Sequence, residues 1–259
     1  MRELPVVPLL HAGAALRNAL RRGCRTRGLR VVTCRSRDHA ARLLATVLVD
    51  AVVVGARRTG PDAAGELVRQ YPGIPLFVAG PFRPDDGPTL LSYRRAGVRD
   101  ILVDGVDDHA AAELIAGRGA SGVRRAALAD APRLLRLTEP LQLKAWHEVL
   151  ARSGIATTTA QLAGALRVTR EHLSREFAAG GAPNIKRVID VTRVLCAADL
   201  LRNPGYSVVT VAHVLKFSSP SHLAGCARRI VGMTPRALPR LGVRGVLGRF
   251  LRGRTRSRL

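Results

Sequence analysis

Polar side chains with hydrogen-bonding chemistry recur at helical spacing between residues 170 and 178. Arg170, Glu171, Ser174 and Arg175 fall on one face of a predicted helix, while leucine and phenylalanine occupy the other face. A guanidinium is a planar fork that matches phosphate oxygens and the acceptor edge of guanine. Serine and glutamate can complement other base edges. The segment therefore predicts a surface that binds a polyanion through hydrogen bonds.

Short helices in two pairs are predicted to carry such surfaces. The predicted helical segments are Ala160–Leu166, Arg170–Ala178, Ile185–Leu201, Val208–Leu215 and Pro220–Val231. Threonine hydroxyls at 157–159 are expected to cap the first segment, and Ser218 or Ser219 is expected to cap the last. Two short helices joined by a tight turn are what a helix-turn-helix unit requires. We therefore expect an all-α C-terminal region with two helix-turn-helix units joined by a long helix.

The charge of the chain is strongly asymmetric. The 259 residues carry a formal charge of +23, from 42 basic and 19 acidic residues. From Pro132 onward the chain has 22 of the basic residues and only six of the acidic ones. A field of this kind attracts nucleic acid or an anionic membrane, and the C-terminal half should meet that partner. Arginine greatly outnumbers lysine, which a GC-rich genome explains, although it does not explain the net charge.

The sequence predicts no membrane span, metal site or cofactor. No apolar run reaches about 18 residues, and the four cysteines lie far apart and are expected to be buried thiols. Asp104, Asp107 and Asp108 are interpreted as solvated loop acids. His147 and His213 are expected to pack between helices, because no histidine has a Ser, Cys or carboxylate at catalytic spacing. We expect a cytoplasmic, nucleoid-associated protein without catalytic residues.

The first 117 residues alternate between strand-like and helix-like segments. The predicted strands are Val6–Leu10, Leu29–Thr33, Ala51–Val54, Pro75–Ala79 and Asp100–Val103. The predicted helices between them are Ala12–Arg21, Arg37–Thr46, Ala63–Gln70 and Pro88–Ala96. Alternation of this kind predicts an α/β fold in which a doubly wound parallel sheet has helices on both faces.

This N-terminal region resembles a response-regulator receiver domain in the stretches Asp50–Gly65, Tyr71–Gly80 and Ala96–Asp104. Phosphotransfer in that family needs an acceptor aspartate, an acidic pair for Mg²⁺, a switch hydroxyl and a lysine. The resemblance places these four functions at Gly55, the His11–Ala12 region, Gly80 and Asp104. Without a carboxylate nucleophile no aspartyl-phosphate can form. We therefore expect a pseudo-receiver that forms a homodimer, binds a small effector or binds a partner protein.

The C-terminal region resembles the AraC/XylS family of bacterial transcription regulators across residues 141–241. The resemblance rests on four ordered stretches: Ala160–Phe177, Arg193–Leu201, Val211–Leu223 and Gly232–Leu238. It implies that two recognition helices enter successive major grooves of double-stranded DNA. It implies five side chains at base edges: Glu171, Ser174, Arg175, Ser221 and His222. It implies three arginines at the DNA backbone: Arg170, Arg228 and Arg229.

The second unit departs from the family pattern at three positions. Gly225 replaces a base-contacting Arg or Lys, Ala227 replaces a core aromatic, and Lys216 replaces a glycine in the turn. We expect the first unit to supply most of the sequence specificity and the second unit to act mainly as an electrostatic anchor. Six side chains of the two units are expected simply to pack in the core: Leu162, Leu173, Phe177, Leu200, Phe217 and Leu223.

The predicted organisation is a pseudo-receiver at 1–117, a linker at 118–136, a DNA-binding domain at 137–241 and a basic tail at 242–259. The tail could lie on an anionic membrane, bind DNA phosphates or remain disordered. We expect a sequence-specific transcription regulator that acts without phosphorylation. The alternative is a protein-interaction adaptor that keeps the fold but binds DNA only non-specifically.

Overall fold

A computed structural model describes residues 4–11, 13–152, 157–178 and 181–256, with side chains as far as Gly253. The chain divides into two compact units. The N-terminal unit runs to Val123 and includes residues 203–205; the C-terminal unit comprises residues 124–202 and 206–259. No helix in these described ranges is both long and apolar enough to cross a membrane.

The N-terminal unit contains a five-stranded parallel sheet in the order β2-β1-β3-β4-β5. The strands are β1 (Val6–Leu10), β2 (Arg30–Thr33), β3 (Val52–Gly55), β4 (Leu76–Gly80) and β5 (Asp100–Val103). The helices are α1 (Ala14–Thr26), α2 (Arg37–Thr46), α3 (Pro61–Gln70), α4 (Gly87–Arg95) and α5 (Ala111–Arg118), and a 3₁₀ turn spans Pro84–Asp86. This strand order is that of the doubly wound receiver-like fold, so the predicted fold class is confirmed.

The sheet forms where the sequence predicts it because its three central strands, β1, β3 and β4, are buried on both faces. Each predicted strand is present with its ends shifted by at most one residue. On one face, Leu16 and Leu20 of α1 and Ile115 of α5 pack with the strand residues Val53 and Phe77. Burial of this kind requires the continuous Val- and Leu-rich runs seen in the sequence.

The first helix is longer than predicted. It continues to Thr26, past the expected end at Arg21, because Cys24 extends the buried stripe formed by Leu16 and Leu20. A Cβ at Gly23 would lie 2.5 Å from the Cβ of Ala112 in α5. Glycine therefore permits close helix packing here and does not end the helix. The predicted start at Ala12 lies outside the described residues.

The C-terminal unit is helical. The boundary between the two compact units falls within α6 (Ala120–Ala127). The helices after it are α7 (Ala131–Leu134), α8 (Pro140–Ala151), α9 (Thr159–Ala165), α10 (Arg170–Ala178), α11 (Ile185–Leu200), α12 (Val208–Val214), α13 (Pro220–Val231) and α14 (Gly242–Arg256). A 3₁₀ segment, Pro235–Arg240, precedes α14. All six side chains expected to pack are buried. The predicted pair of short-helix units around a long helix is therefore confirmed.

The basic tail forms a helix that packs into the C-terminal unit. Val246 and Phe250 of α14 are fully buried, and α14 contacts α11 and α13. Arg187 of α11 lies over the Phe250 ring, with the guanidinium carbon 5.3 Å from the ring centroid. The disordered alternative is therefore wrong for residues 242–256. Since the apolar face is occupied inside the protein, it is not available to a membrane. The side chains of Arg254, Arg256 and Arg258 lie outside the described part.

Candidate nucleic-acid interface

The first helix-turn-helix unit is built from α9 and α10. Thr158 caps α9, since its hydroxyl accepts a hydrogen bond from the Gln161 N–H, and the Gln161 side chain accepts one from the Thr158 N–H in return. The hydroxyl of Thr169 accepts a hydrogen bond from the His172 N–H at the start of α10. These two caps fix where α9 and α10 begin.

The helix α10 separates its polar residues from its apolar ones. Leu173 and Phe177 are completely buried. The four polar residues expected to contact DNA are all exposed: Arg170, Glu171, Ser174 and Arg175. A helix that is anchored by one face and exposes hydrogen-bonding groups on the other has the form of a recognition helix.

The second unit is built from α12 and α13. Ser219, and not Ser218, caps α13, because its hydroxyl accepts a hydrogen bond from the His222 N–H. Ser218 Oγ instead lies 2.9 Å from His222 Nδ1. The His222 ring also makes an edge contact with Phe217, with ring centroids 5.4 Å apart. These contacts orient His222 on the exposed surface, where Ser221 lies beside it.

The turns of the two units share one backbone geometry. Arg167 and Lys216 both follow the last turn of a helix with a left-handed backbone, at φ of 57° and 55°. After each of them, the next N–H donates back to the first helix: Val168 to Ala163 and Phe217 to Ala212, at 3.0 and 2.8 Å. This is the Schellman motif, which glycine normally occupies. The sequence departure at Lys216 therefore changes the residue but not the turn.

Substitution of Lys216 by glycine is expected to raise the free energy of unfolding of the C-terminal unit by about 1 kcal/mol, because a side chain in the left-handed region is strained. Urea unfolding followed by fluorescence of Trp146, which is the sole tryptophan and is buried in α8, measures this change. Lys216→Ala is the control, since it removes the ammonium but keeps the Cβ. Equal stabilisation by both substitutions would show that charge, and not backbone strain, is responsible.

Two buried polar side chains hold the recognition helices in place. Gln142 of α8 is fully buried, and its Nε2 donates a hydrogen bond to the Glu176 carbonyl at 2.9 Å, near the end of α10. Arg193 of α11 donates from Nη2 to the Leu215 and Lys216 carbonyls at 3.3 Å, and its guanidinium carbon lies 3.7 Å from the Phe217 ring centroid. Burial lowers the pKa of Arg193. Neither residue was predicted from the sequence to be a positioning residue.

One of the departures in the second helix-turn-helix unit, Gly225, leaves open space beside α13. A Cβ at Gly225 would meet no atom within 4 Å, so a larger side chain would fit at this position. Ala227 is fully buried. Arg229 lies 3.5 Å from the carboxylate of Asp190 on α11, which offsets part of the charge expected at the DNA backbone. Arg228 is exposed.

Neither histidine that was expected to pack does so. His147 and His213 are exposed, so that prediction is wrong. Both residues lie on the outer face of amphipathic helices, where Trp146 and Val214 beside them face inward. The four cysteines are free and buried, as predicted. Burial raises the pKa of Cys24 and Cys226 to about 11, so both are protonated thiols at neutral pH.

The receiver-like phosphorylation position holds a histidine–carboxylate pair. His11 Nδ1 accepts a hydrogen bond from the Gly13 N–H at 2.9 Å, which leaves the proton on Nε2. Nε2 then donates to Asp104 Oδ2 at 3.1 Å. His11, Gly55, Gly80 and Asp104 line one cleft of about 520 Å³. Ala12, the other expected member, lies outside the described residues.

The acidic residues near this cleft, Asp107 and Asp108, accept hydrogen bonds from backbone groups at the end of β5 and in the loop after it. Asp107 accepts a hydrogen bond from the Val103 N–H at 2.7 Å, and Asp108 accepts one from the Gly105 N–H at 3.2 Å. Within the described ranges, no three His, Cys, Asp or Glu residues form a group that could hold a metal. These carboxylates stabilise the loop.

Comparison with known proteins supports this interpretation of the C-terminal unit. Residues 162–240 match the family model of a helix-turn-helix domain. No curated protein sequence matches the chain. Because the match contains both α10 and α13, the AraC-type helix-turn-helix domain predicted from the sequence is present at residues 162–240.

Solved structures of response regulators are similar to this chain at low identity. A response regulator from Thermotoga maritima is 15% identical with a TM-score of 0.37, covering 43% of this chain and 93% of that chain. The orphan response regulator HP1043 of H. pylori is 15% identical with a TM-score of 0.40, covering 46% and 98%. Full-length FixJ from B. japonicum is 16% identical with a TM-score of 0.38, covering 87% and 96%.

The fold and the helix-turn-helix match together define the class of this protein. It is a DNA-binding transcription regulator with a receiver-like N-terminal unit.

Proposed function

We propose that this protein reads a specific DNA sequence with two recognition helices, α10 and α13, placed in successive major grooves. The observation that carries the proposal is the division of each helix into a buried apolar face and an exposed polar face. The long helix α11, which connects the two helix-turn-helix units, has 16 residues and is therefore about 24 Å long. Successive major grooves on one side of DNA are about 34 Å apart.

Base reading is assigned mainly to the first unit. Glu171, Ser174 and Arg175 are exposed on one helix face, and Arg175 is the best match for the two acceptors of guanine. Arg170, at the start of α10, binds phosphate. In the second unit Ser221 and His222 contact bases and Arg228 contacts the backbone. Arg229 contributes less, because Asp190 partly neutralises it.

The regulator acts without phosphorylation of its N-terminal unit. The acceptor position is Gly55, which has no carboxylate, and Asp104, the one carboxylate among the described residues that line the cleft, is hydrogen-bonded through Oδ2 to His11. An aspartyl-phosphate needs both a free carboxylate nucleophile and oxygen ligands for Mg²⁺. We assign this unit to homodimer formation, or to binding of a small effector or a partner protein, and assign no catalytic activity. The proposed location is the cytoplasm, at the nucleoid.

A protein-interaction adaptor is the second candidate. The open space at Gly225 favours it, since loss of a bidentate base contact removes about 1–3 kcal/mol of discrimination. An adaptor of this kind would retain the charge of the C-terminal unit and bind DNA only through phosphates.

Selection of bound sequences from a random DNA pool by the full-length protein tests the proposal. A motif with two parts centred about 10 base pairs apart is expected, at both low and moderate salt. The same motif is expected after incubation with acetyl phosphate, with no gain of a phosphoryl group by mass spectrometry. Absence of any motif, together with binding that collapses as salt rises, would favour the adaptor.

A further inference from the structure

A second cavity in the N-terminal unit lies away from the His11–Asp104 cleft. It lies between α2, α3 and the sheet, is partly open to solvent, and has a volume of about 210 Å³. Its inner wall is apolar and is formed by Leu10, Leu44, Val52, Val54 and Leu67. We call it the α2–α3 cavity. An apolar cavity of about 150 Å³ in another protein stays dry and binds benzene, so this volume is sufficient for a substituted ring.

The cavity has a cause in the sequence. The two helices that flank the cavity line it with alanines: Ala40 of α2 and Ala63 of α3, which are half-buried, and Ala41 of α2 at the exposed rim. Covering helices usually place larger side chains over a sheet, because interiors are packed to the density of organic crystals. The short side chains of Ala40 and Ala63 leave this space unfilled.

One buried polar group faces this space. Thr59 lines the cavity with only 4% of its surface exposed, and its Oγ1 has no hydrogen-bond partner among the described residues. Leaving a buried hydroxyl unpaired is unfavourable, and native proteins rarely do so. A ligand group that accepts or donates a hydrogen bond would satisfy it.

The loop that carries Thr59 is held from several sides. The Tyr93 hydroxyl donates to the Thr59 carbonyl at 2.7 Å, and Arg37 Nη2 donates to the Arg58 carbonyl at 2.9 Å. The Thr59 N–H donates to the Gly55 carbonyl at 3.0 Å. These bonds hold the Thr59 backbone in place before any ligand arrives, which reduces the entropy lost on binding.

Polar side chains surround the mouth of the cavity. Arg37, Glu66 and Gln70 line it and are exposed. A pocket that is apolar inside, contains one fixed polar group and has a polar rim has the usual anatomy of a small-molecule site.

We propose that the α2–α3 cavity binds a small, mainly apolar molecule of about one ring that carries one hydroxyl or similar hydrogen-bonding group, which pairs with Thr59 Oγ1. The apolar walls exclude a nucleotide or another highly charged ligand, because nothing inside would replace its lost hydration. This inference goes beyond the proposed DNA binding and does not depend on it.

Phenol and toluene, which have nearly the same shape, test the proposal with the full-length protein. Leu and Val methyl groups, isotopically labelled, report binding by NMR, since five such residues line the cavity. Phenol is expected to shift these methyl signals saturably, with an affinity about five times that of toluene because of one hydrogen bond. Thr59→Val is expected to abolish that preference without loss of stability. Ala63→Leu is expected to abolish binding of both compounds.

Ala45→Leu is the matched control, because Ala45 lies on α2 but is exposed and outside the cavity. It should bind both compounds as the unaltered protein does. The proposal is overturned if neither compound shifts the methyl signals saturably, or if Ala63→Leu binds both compounds normally. Equal affinities for phenol and toluene would overturn the role of Thr59. No DNA is present, so these outcomes are separate from the test of DNA binding.

Discussion

Replacement of Phe250 by alanine is expected to lower the free energy of unfolding of the C-terminal unit by about 3–5 kcal/mol. The ring is fully buried in α14 and lies under the Arg187 guanidinium, so its removal leaves a cavity and removes a cation–π contact. Total stabilities of domains are about 5–15 kcal/mol, and this loss is therefore a large share. Urea unfolding followed by Trp146 fluorescence measures it.

The control is Arg244→Ala, which removes an exposed basic residue from the same helix. It should change the free energy of unfolding by less than about 0.5 kcal/mol. Because α14 contacts both α11 and α13, Phe250→Ala should also weaken DNA binding by the second unit. A loss of stability as small as that of the control would show that the tail helix is not part of the core.

Replacement of Arg175 by alanine is expected to reduce sequence discrimination by about 1–3 kcal/mol at one or two adjacent base pairs. The side chain is exposed on α10, so the substitution should not change the stability of the unit. Selection from a random DNA pool should return the same motif with a weaker base preference at those positions. This result would identify the bases that the first unit reads.

Arg170→Ala is the matched comparison, because it removes an equal charge from the same exposed helix. It is expected to weaken binding to all sequences alike. The slope of the logarithm of affinity against the logarithm of salt concentration should decrease by about one, because one phosphate contact is lost. If Arg175→Ala also weakens all sequences uniformly, Arg175 contacts phosphate and the assignment of base reading is wrong.

Local sequence signals were sufficient to predict most of the C-terminal helices. The threonines at 157–159 and Ser219 predict helix starts because capping depends on residues within one turn of each other. The apolar positions Leu173 and Phe177 predict which face of α10 is buried. The exposed face, with the proposed DNA contacts, follows from the same periodicity.

Contacts between distant residues could not be predicted in this way. Gln142 and the Glu176 carbonyl are 34 residues apart, and Arg193 and the Leu215 carbonyl are 22 residues apart. No periodic pattern indicates which polar residue will be buried, because burial depends on how helices pack. These side chains nevertheless place both recognition helices.

In the N-terminal unit, too, local features were predictable from the sequence and contacts between distant residues were not. The strand runs predict the parallel sheet, and the residues at the phosphorylation position predict that phosphotransfer is lost. The hydrogen bond between His11 and Asp104, which are 93 residues apart, exists only because parallel strands end at the same edge of the sheet.

The sequence by itself thus determined the fold class, the two helix-turn-helix units and the concentration of positive charge, since periodicity, capping and composition are local properties. Only the tertiary structure decided that the basic tail is a core helix, that Thr59 faces an apolar cavity and that Arg193 supports a strained turn. Each of these depends on the packing of segments distant in the chain, and the energy of packing is a property of the assembled neighbours and not of any one segment.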